Sequence, residues 1–429
     1  MVKIGILGFG TVGTGTAQIL LDPIGRHHLL GKVEIAKVGV QSIDKPRDIQ
    51  LAQEILTNDL ESIVSDPAID IIVEVMGGIE PARSLILQAI AHGKHIVTAN
   101  KALISRFGDE IYTAANQAGV YVMLEAAVGG GIPVIQPLKQ SLSVNRINRV
   151  TGIVNGTTNY ILTRMTEEGG EFADILADAQ ALGYAEADPT ADVDGLDAGD
   201  KIAILASLAF GDRIKREEVH CAGIRKVGAT DIAYATKLGY VIKLLAIAER
   251  SPDASVAVRV HPTLLLKSHP LASVNGVFNA ILIEGDPLGQ VMLFGPGAGA
   301  GATASSVVSD IVVVVGAMLG RSDGDAMNPL MNCPHQKYAT MSLLENLVGR
   351  FYVRFQTKDL PGTIGYIGTA FGNHHVSIES IVQTSVSKNG AEIVVITGEV
   401  TESNFQQALK SIEQLPAIQN IPAILHVVR

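Results

Sequence analysis

The chain of 429 residues is 47 % hydrophobic, contains 44 glycines and carries a formal net charge of −10. This length exceeds what a single core usually serves, so two or three domains are expected, and the composition is typical of α/β enzymes rather than of disordered chains. The negative charge repels nucleic acids and anionic membranes, which excludes nonspecific binding to either.

No targeting or membrane segment is predicted. The N-terminus passes directly into a strand without the basic and apolar regions of a secretory signal. The most apolar later run, residues 311–319, is far shorter than a membrane span. Cys221 and Cys333 are isolated and lack the spacing of metal ligands, which fits a reducing compartment. We therefore expect a soluble, cytoplasmic protein.

The first predicted strand, residues 3–7, runs into a glycine-rich turn and then a helix. The turn consists of Gly8, Phe9, Gly10, Thr11, Val12 and Gly13. In such a turn the first glycine permits the tight bend, the second lets the backbone approach a pyrophosphate, and the third allows the helix to pack on the strand. The helix N-terminus would then face the phosphates. Because a strand precedes the turn and a helix follows it, a dinucleotide site is favoured over a turn without a ligand.

The end of the second predicted strand, near residues 33–40, bears on which cofactor binds. A carboxylate that accepts the ribose hydroxyls of NAD belongs at this point, but the strand ends in Gln41 and Ser42, and the cations Lys45 and Arg47 follow. No carboxylate repels a 2′-phosphate and two cations attract one. NADP(H) is therefore the preferred cofactor, with NAD(H) as the alternative.

The alternation of strands and helices continues through residues 69–97. It predicts a Rossmann-type doubly wound parallel sheet with ligands at the carboxyl ends of the strands. Residues 98–101, Thr-Ala-Asn-Lys, follow one of these ends. Taken alone, Lys101 would be a surface lysine.

Two segments in the middle of the chain combine glycine with polar residues. Residues 125–133 place three glycines after a carboxylate, which can turn main-chain carbonyls inward to hold a hard monovalent cation; a hinge between domains is a compatible interpretation. Residues 155–160, Asn-Gly-Thr-Thr-Asn-Tyr, begin with a turn, and Asn or Thr can cap the helix that follows.

Residues 183–201 read GYAEADPTADVDGLDAGDK and concentrate six carboxylates before one cation, Lys201. This composition is suited to meeting a positive charge, although a solvated acidic loop is the simpler alternative. The apolar pattern after Leu196 predicts a helix, on which Asp197 and Lys201 lie four residues apart and share a face.

Extended back to Ala179, this segment matches the signature of the homoserine dehydrogenases. The matching residues are Ala179, Gly183, Tyr184, Asp188, Pro189, Asp192, Gly195, Asp197 and Lys201. The chain therefore resembles a monofunctional homoserine dehydrogenase, since no kinase domain is predicted ahead of the first strand. The resemblance covers nearly the whole chain. It implies interconversion of L-aspartate 4-semialdehyde and L-homoserine with a nicotinamide cofactor, in threonine, methionine and isoleucine biosynthesis.

The resemblance also implies roles for individual residues. Lys201 would be the proton donor, and Asp197 would position it or share in substrate binding. The substrate-binding residues would be Glu186, Asp192, Asp197, Lys101 and Thr157. The cofactor would be bound by Gly8, Phe9, Gly10, Thr11, Val12, Gly13, Lys101, Gly183 and Gly301. A structural Na⁺ or K⁺ ion would be bound by Glu125, Val128, Gly130 and Ile132.

The last part of the chain predicts a separate regulatory domain. From Phe351 the order strand, helix, strand, strand, helix, strand is that of a ferredoxin-like unit, and the turn at residues 359–362, Asp-Leu-Pro-Gly, resembles that of an ACT domain. ACT domains commonly bind amino acids, so feedback by threonine is expected, with a purely dimer-forming role as the alternative.

The predicted architecture has three parts. Residues 1–130 form the Rossmann domain, which is completed by about 305–345. The glycine-rich turn at 295–301 could be a flexible crossover, but the resemblance implies that the chain returns through it to the nucleotide domain. Residues 131–305 form a central α+β domain for catalysis and dimerisation, and residues 350–429 form the ACT domain. A homodimer or homotetramer is expected.

Two other functional classes are considered. A different small-acid or amino-acid dehydrogenase would share the glycine-rich turn but would not need the signature at 183–201. A non-catalytic NADP-binding regulator could lose Asp197 and Lys201 freely. The presence of both residues favours the enzyme.

Overall fold

The computed structural model describes residues 1–47, 49, 51–320, 328, 331, 337–387 and 390–428, with only the backbone described at 384–387. Cys333 lies outside the described residues. The chain divides into two compact units. The first unit contains Met1–Val150, Asp200–Glu218 and Asn279–Ala339, and the second contains Thr151–Gly199, Val219–Phe278 and Thr340–Arg429.

Strands and helices alternate along the N-terminal third, as the sequence predicts. The elements are β1 (Val2–Leu7), α1 (Thr11–Leu21), β2 (Val33–Gly39), β3 (Leu56–Thr57), α2 (Glu61–Val64), β4 (Ile71–Glu74), α3 (Ala82–Ala91), β5 (His95–Thr98), α4 (Lys101–Ala118), β6 (Val122–Met123), α5 (Ile135–Lys139) and β7 (Arg146–Ile153).

The middle of the chain is helical before it becomes rich in strands. Its elements are α6 (Gly156–Glu168), α7 (Phe172–Ala181), α8 (Thr190–Val193), α9 (Leu196–Phe210), β8 (His220–Cys221), α10 (Ala229–Lys237), β9 (Tyr240–Arg250), β10 (Val256–Leu266), β11 (Phe278–Asp286) and β12 (Gly289–Pro296). The remaining elements are α11 (Ala300–Gly320), β13 (Val348–Thr357), α12 (Thr363–Asn373), β14 (Ile378–Ser387), β15 (Gly390–Thr397), β16 (Val400–Thr401), α13 (Glu402–Glu413) and β17 (Ile418–Val428).

The first unit contains a parallel sheet with the strand order β3-β2-β1-β4-β5-β6. This is the order of dinucleotide-binding doubly wound folds, so the Rossmann-type prediction is confirmed. Its central strands are apolar along their length, with Ile4, Ile6 and Ile71 fully buried. Such runs are typical of parallel strands that are covered on both faces.

Helix α11 supplies part of the core of this unit. Val307, Ile311 and Val314 are buried in the same cluster as the strand residues of the sheet, and α11 packs against α1. A Cβ atom on Gly15 would lie 2.8 Å from the Ala300 carbonyl oxygen, so a glycine there allows the two helices to approach closely.

The apolar run noted at residues 311–319 thus belongs to a longer helix of 21 residues. Within the described part of the chain, α11 is the one helix whose length and hydropathy would suffice to cross a membrane. Its burial in the core of the first unit accounts for that apolar character.

The second unit contains a mixed sheet in which the strands of the predicted ACT domain continue from those of the central region. The strand order is β9-β10-β17-β13-β15-β14. Strands β13, β14, β15 and β17 with helices α12 and α13 form the ferredoxin-like unit that the sequence predicts. Its core lies between the helices and one face of the sheet and includes Phe351, Phe355, Phe371 and Phe405.

The junction of these two parts of the sheet is the parallel pairing of β10 with β17. His261 and His426 stack there with their ring centroids 3.9 Å apart. Burial lowers the pKa of His426 to about 3 and holds the pKa of His261 well below its usual value. Both rings are therefore neutral near neutral pH, and the junction carries no buried histidine charge.

Candidate active site

The glycine-rich turn after β1 has the geometry that a bound pyrophosphate needs. Gly8 has a φ of +100°, and a Cβ atom on Gly13 would lie 2.3 Å from the Gly8 carbonyl oxygen, so the fold itself requires both glycines. A Cβ atom on Gly10 would meet no protein atom within 4 Å. No side chain caps the N-terminus of α1 at Gly10. The turn therefore leaves open space and unsatisfied N–H groups where phosphates would bind.

The other residues of the turn divide between the core and the surface. Phe9 and Val12 pack against the core of the first unit, whereas Thr11 is exposed. Gly301 is also exposed, in the first turn of α11, and a Cβ atom there would meet no atom within 4 Å. Because Gly15 contacts Ala300, the N-terminal ends of α1 and α11 lie side by side. The structure thus brings Gly301 close to the turn.

Glu74 is a buried carboxylate at the carboxyl end of β4 that was not predicted as a site residue. It accepts hydrogen bonds from the backbone N–H groups of Met76 (2.9 Å) and Gly77 (3.1 Å) and from the Thr98 hydroxyl (2.7 Å). Burial raises the pKa of Glu74, and these hydrogen bonds oppose the rise. Glu74 therefore joins the ends of β4 and β5 and shapes the turn between them. The sequence signal that could have identified Glu74 is a carboxylate at the end of a buried parallel strand.

Lys101 lies at the carboxyl end of β5, where the sequence places it, and is the first residue of α4. Asn100 caps this helix by accepting the Leu103 N–H at 3.1 Å and donates to the Gly78 carbonyl oxygen at 2.7 Å. The start of α4 is therefore fixed to the turn that Glu74 shapes.

The loop after β2 is organised by Arg47. Its guanidinium donates to the carbonyl oxygens of Ile43 and Lys45, both at 2.8 Å, and to that of Ser42. Gln41 is exposed at the start of the loop. Arg47, one of the two cations that the sequence analysis associates with a 2′-phosphate, is thus held near the end of β2 by the carbonyl oxygens of its own loop.

The acidic segment folds partly as predicted. Helix α9 begins at Leu196, as the apolar pattern indicates, while the preceding loop contains the additional short helix α8. Asp197 and Lys201 are both only 9 % exposed. The alternative of a solvated acidic loop is therefore wrong for this pair, although it describes Glu186, which is exposed.

Two carboxylates of the segment already have cationic partners within the protein. Asp200 pairs with Arg106 at 3.1 Å and with Arg216 at 2.7 Å, all within the first unit. Asp194 pairs with Arg225 in the second unit. Arginines remote in sequence therefore meet Asp200 and Asp194, neither of which is among the predicted site residues.

Asn155 connects the predicted substrate and catalytic carboxylates in the second unit. Its side-chain nitrogen donates to Asp192 at 2.6 Å and to Asp197 at 2.9 Å. The sequence indicated Asn155 only as a helix cap, and it does cap α6 by accepting the Thr158 N–H at 2.9 Å. The bridging role depends on residues about 40 positions away and has no local signal.

Thr157, near the N-terminus of α6, contacts the residue that follows Gly183. The Thr157 hydroxyl donates to the Tyr184 carbonyl oxygen at 2.7 Å. Gly183 has a φ of +76°, a conformation that favours glycine, at the turn after α7. This contact holds the beginning of the acidic segment against α6.

The predicted cation-binding segment is a tight turn in the first unit. Both carboxylate oxygens of Glu125 accept backbone N–H groups at the start of α5, from Val134 (2.6 Å), Ile135 (2.7 Å) and Gln136 (2.8 Å). The main-chain oxygen of Glu125 is therefore its more suitable ligand atom. The Gly130 carbonyl oxygen accepts the Ser306 hydroxyl at 2.7 Å and keeps a second lone pair.

A second carboxylate is buried beside this turn. Asp310 accepts the backbone N–H of Glu125 at 2.7 Å. Burial, and secondarily the charge of Glu125, raise the pKa of Asp310 to about 8. Val128 and Ile132 are also buried. Main-chain and carboxyl oxygens are the donors that a hard monovalent cation prefers, so the residue types present here fit such an ion.

Comparison with known proteins agrees with this arrangement. Family models for the homoserine dehydrogenase NAD-binding domain, homoserine dehydrogenase and the ACT domain match residues 8–125, 133–312 and 351–417. A homoserine dehydrogenase from Synechocystis sp. is 62 % identical over 429 residues, covering 99 % of both chains. The chain belongs to the homoserine dehydrogenase family. A Bacillus subtilis member is 38 % identical over 99 % of this chain and 98 % of its own.

Solved structures of homoserine dehydrogenases share the fold. One from Thiobacillus denitrificans has a TM-score of 0.90 at 38 % identity and covers 100 % of this chain and 98 % of its own. A hyperthermophilic archaeal homoserine dehydrogenase, solved in complex with NADPH, has a TM-score of 0.62 at 30 % identity and covers 75 % of this chain and 98 % of its own.

As a family member, the protein is a nicotinamide-dependent oxidoreductase that acts on a CH–OH group and carries a C-terminal ACT domain. Its reaction interconverts L-aspartate 4-semialdehyde and L-homoserine, as the resemblance implies, and it therefore serves amino-acid biosynthesis. The alternatives of an unrelated dehydrogenase and of a non-catalytic regulator are not supported.

Proposed function

We propose that the protein reduces L-aspartate 4-semialdehyde with NADPH in preference to NADH and uses Lys201 as the proton donor. The observation that carries the proposal is the burial of Lys201 and Asp197, one turn apart on α9. A buried lysine with a carboxylate on the same helix face is held in a defined position, as proton transfer requires.

The cofactor would be held by the turn from Gly8 to Gly13 and by Gly301, Lys101 and Gly183, and it supplies the hydride. Glu186 and Asp192 would orient the substrate through its ammonium group, with Thr157 and Lys101 beside it. The Lys201 ammonium would donate a proton to the carbonyl oxygen as the carbonyl carbon accepts hydride. Asp197 would hold Lys201 in place. Lys201 would then recover a proton from water.

The cofactor preference is predicted to depend on the absence of a carboxylate at position 41. Gln41→Glu would place a negative charge at the end of β2, where it repels a 2′-phosphate, so we expect the ratio of kcat/KM for NADPH over NADH to fall by about tenfold or more, equivalent to ~1.4 kcal/mol. Gln41→Asn is the matched control and should keep the native ratio. Parallel assays with both cofactors and L-aspartate 4-semialdehyde measure it. An unchanged ratio in Gln41→Glu would contradict the preference, and no turnover with either cofactor would contradict the reaction itself.

A structural Na⁺ or K⁺ ion is proposed at Glu125, Val128, Gly130 and Ile132. Replacing these ions with tetramethylammonium at constant ionic strength is expected to lower the melting temperature by about 5 °C, because a ligand of the native state stabilises it by mass action. Titration with NaCl or KCl should restore the native value. Equal melting temperatures in all three salts would argue against the site.

Feedback by threonine through the ACT domain is also proposed. L-threonine at millimolar concentration is expected to inhibit the full-length protein. Asp359→Ala, at the exposed turn before α12, should weaken inhibition while leaving the rate without threonine unchanged. Point variants are preferable to truncation, because removing β17 would expose the edge of β10. Initial rates against threonine concentration test this, with L-serine as control. Insensitivity of the native protein would leave a purely dimer-forming role for the domain.

The organisation proposed for this enzyme is a Rossmann domain at 1–130 completed by about 305–345, a catalytic and dimerisation domain at 131–305, and a regulatory domain at 350–429. The matched family segments support these limits. A cytoplasmic homodimer or homotetramer is the proposed form.

A further inference from the structure

We infer that Asn155 is a positioning residue for the reaction: its amide nitrogen holds Asp192 and Asp197 in the geometry that the substrate and Lys201 require. This inference rests on the roles proposed above for these three residues. It goes beyond them in assigning the arrangement of the carboxylates to one buried amide, which is 5 % exposed.

The orientation of the Asn155 amide follows from its neighbours. Its oxygen accepts the backbone N–H and the hydroxyl of Thr158, both at 2.9 Å. A backbone N–H can only donate, so the oxygen must face α6 and the nitrogen must face the carboxylates. The reverse orientation would place the amide oxygen against both carboxylates and the NH₂ group against a donor.

The two hydrogens of the amide nitrogen match the two carboxylates. One is directed to Asp192, at 2.6 Å, and the other to Asp197, at 2.9 Å. A hydrogen bond donated to a carboxyl group is stronger when that group is ionised, so this contact favours ionisation of both groups. Two like charges repel each other, and a shared donor offsets part of that repulsion.

The contact also sets the relative position of two helices. Asp192 lies on α8 and Asp197 lies on α9, and the turn between them contains Gly195 with a φ of +78°. Within the turn, the Gly195 N–H donates to the Asp192 carbonyl oxygen at 2.9 Å, and this bond leaves both carboxylate side chains to be positioned by other groups. Asn155 binds one carboxylate from each side of the turn and thereby fixes the distance between the group that orients the substrate and the group that holds Lys201.

Helix α6, which Asn155 caps, is held in place by hydrogen bonds to other segments of the second unit. Asn159, one turn into α6, donates to the carbonyl oxygens of Val274 and Phe278, both at 3.1 Å. The buried Lys243 ammonium donates to the Asn159 side-chain oxygen at 3.1 Å and to the Val274 carbonyl oxygen at 2.6 Å. Asn155 therefore projects from a fixed support, as a positioning residue needs.

Two substitutions separate positioning from helix capping. Asn155→Ser keeps a capping oxygen but lacks the NH₂ group, and Asn155→Asp keeps the volume and the cap but replaces the donor with a third negative charge. We expect Asn155→Ser to lower kcat/KM for L-aspartate 4-semialdehyde by about 10- to 100-fold, with the melting temperature within about 2 °C of native. Asn155→Asp should lose more. The NADPH dissociation constant should stay unchanged in both.

The pH profile provides a readout that a merely structural role would not move. Without the donor, Asp192 and Asp197 protonate more readily, so the acidic limb of kcat/KM should shift to higher pH in Asn155→Ser. Thr401→Ala, which removes the cap of α13, is the control for loss of a cap and should keep the native profile. Native kcat/KM and an unshifted acidic limb in Asn155→Ser would overturn the inference. If Asn155→Ser does not fold, the same comparison is made with the isosteric Asn155→Asp, for which native activity has the same meaning.

Lys201→Ala in the same assay separates this inference from the proposed function. Retained turnover in Lys201→Ala would overturn the proposed function and, with it, the basis of the inference. A collapse in Lys201→Ala together with native behaviour of both Asn155 variants would overturn the inference alone.

Discussion

Lys201→Ala is expected to lower kcat for the reduction of L-aspartate 4-semialdehyde by about 10²- to 10⁴-fold, the range that a positioned general acid contributes. The ammonium is the proposed proton source for the carbonyl oxygen, and alanine leaves only water. NADPH absorbance measures the loss directly. Lys410→Ala, at an exposed position on α13, is the matched control and should have native turnover.

Lys201→Arg distinguishes proton donation from charge pairing. Arginine keeps a cation on α9 one turn from Asp197, but its pKa lies too high for it to release a proton during turnover. If Lys201 only balances the charge of Asp197, the arginine variant should retain most of the native activity. If Lys201 donates the proton, the arginine variant should lose nearly as much as Lys201→Ala. Near-native turnover in both variants would contradict a catalytic role.

The direction of the reaction adds a pH test. Reduction needs the ammonium form of Lys201, whereas oxidation of L-homoserine needs the free amine to accept a proton. The optimum for oxidation should therefore lie at higher pH than the optimum for reduction. Indistinguishable optima in the two directions would contradict the assignment.

Local sequence patterns were sufficient to predict the elements whose structure depends on residues close together in the chain. The glycine-rich turn is flanked by a strand and a helix. Its spacing predicts that Gly8 makes the tight bend and that Gly13 lets α1 pack on β1, and the structure requires glycine at both positions for these reasons. The start of α9 at Leu196 and the six-element order of the ACT domain likewise follow from periodicity.

Pairings between distant residues could not be predicted in the same way. Asp200 meets Arg106 and Arg216, and the sequence offered no reason to pair an aspartate with an arginine 94 positions earlier. The bridge from Asn155 to Asp192 and Asp197 is also non-local. Charge and residue type predict that a group needs a partner, but tertiary packing decides which partner it finds.

The extension of the ACT sheet by β10 is a further example. Each strand could be recognised separately from the sequence. The parallel pairing of Thr263 with His426 could not be predicted, because no short turn connects the two strands and specifies that they pair. The sequence predicts an ACT domain at 350–429, and its sheet continues into the central strands of the second unit.

The ion pair of Asp231 with Arg354 stabilises the ACT strands against α10. Asp231 is fully buried and Arg354 is 8 % exposed. The guanidinium binds both oxygens of Asp231, at 2.7 and 3.2 Å, and the Tyr352 hydroxyl donates to the same carboxylate at 3.1 Å. Arg354 also contacts Glu392 at 3.1 Å.

Arg354→Met is therefore expected to destabilise the protein by about 3–5 kcal/mol, because it leaves Asp231 buried without its cation. For a protein of this size, that change corresponds to a melting temperature lower by roughly 5–15 °C. Calorimetry or circular dichroism measures it. Asp231→Asn combined with Arg354→Met should recover part of the loss, since the fully buried Asp231 charge is then removed and only the partly exposed Glu392 lacks its cation. Tyr234→Phe, which removes a 3.2 Å hydrogen bond to Glu392, is the mild control and should cost about 1 kcal/mol.

The same pair should also affect regulation, because α10 packs against α6, the helix that begins beside Asn155. A change in the ACT strands that displaced Arg354 would move α10 and, through α6, the amide that holds Asp192 and Asp197. We therefore expect Arg354→Met, assayed below its melting temperature, to weaken inhibition by L-threonine more than Tyr234→Phe does. Native stability in Arg354→Met would mean that the ion pair contributes little to the free energy of unfolding. Native inhibition by threonine in a destabilised Arg354→Met would exclude α10 as the connection between the ACT strands and Asn155.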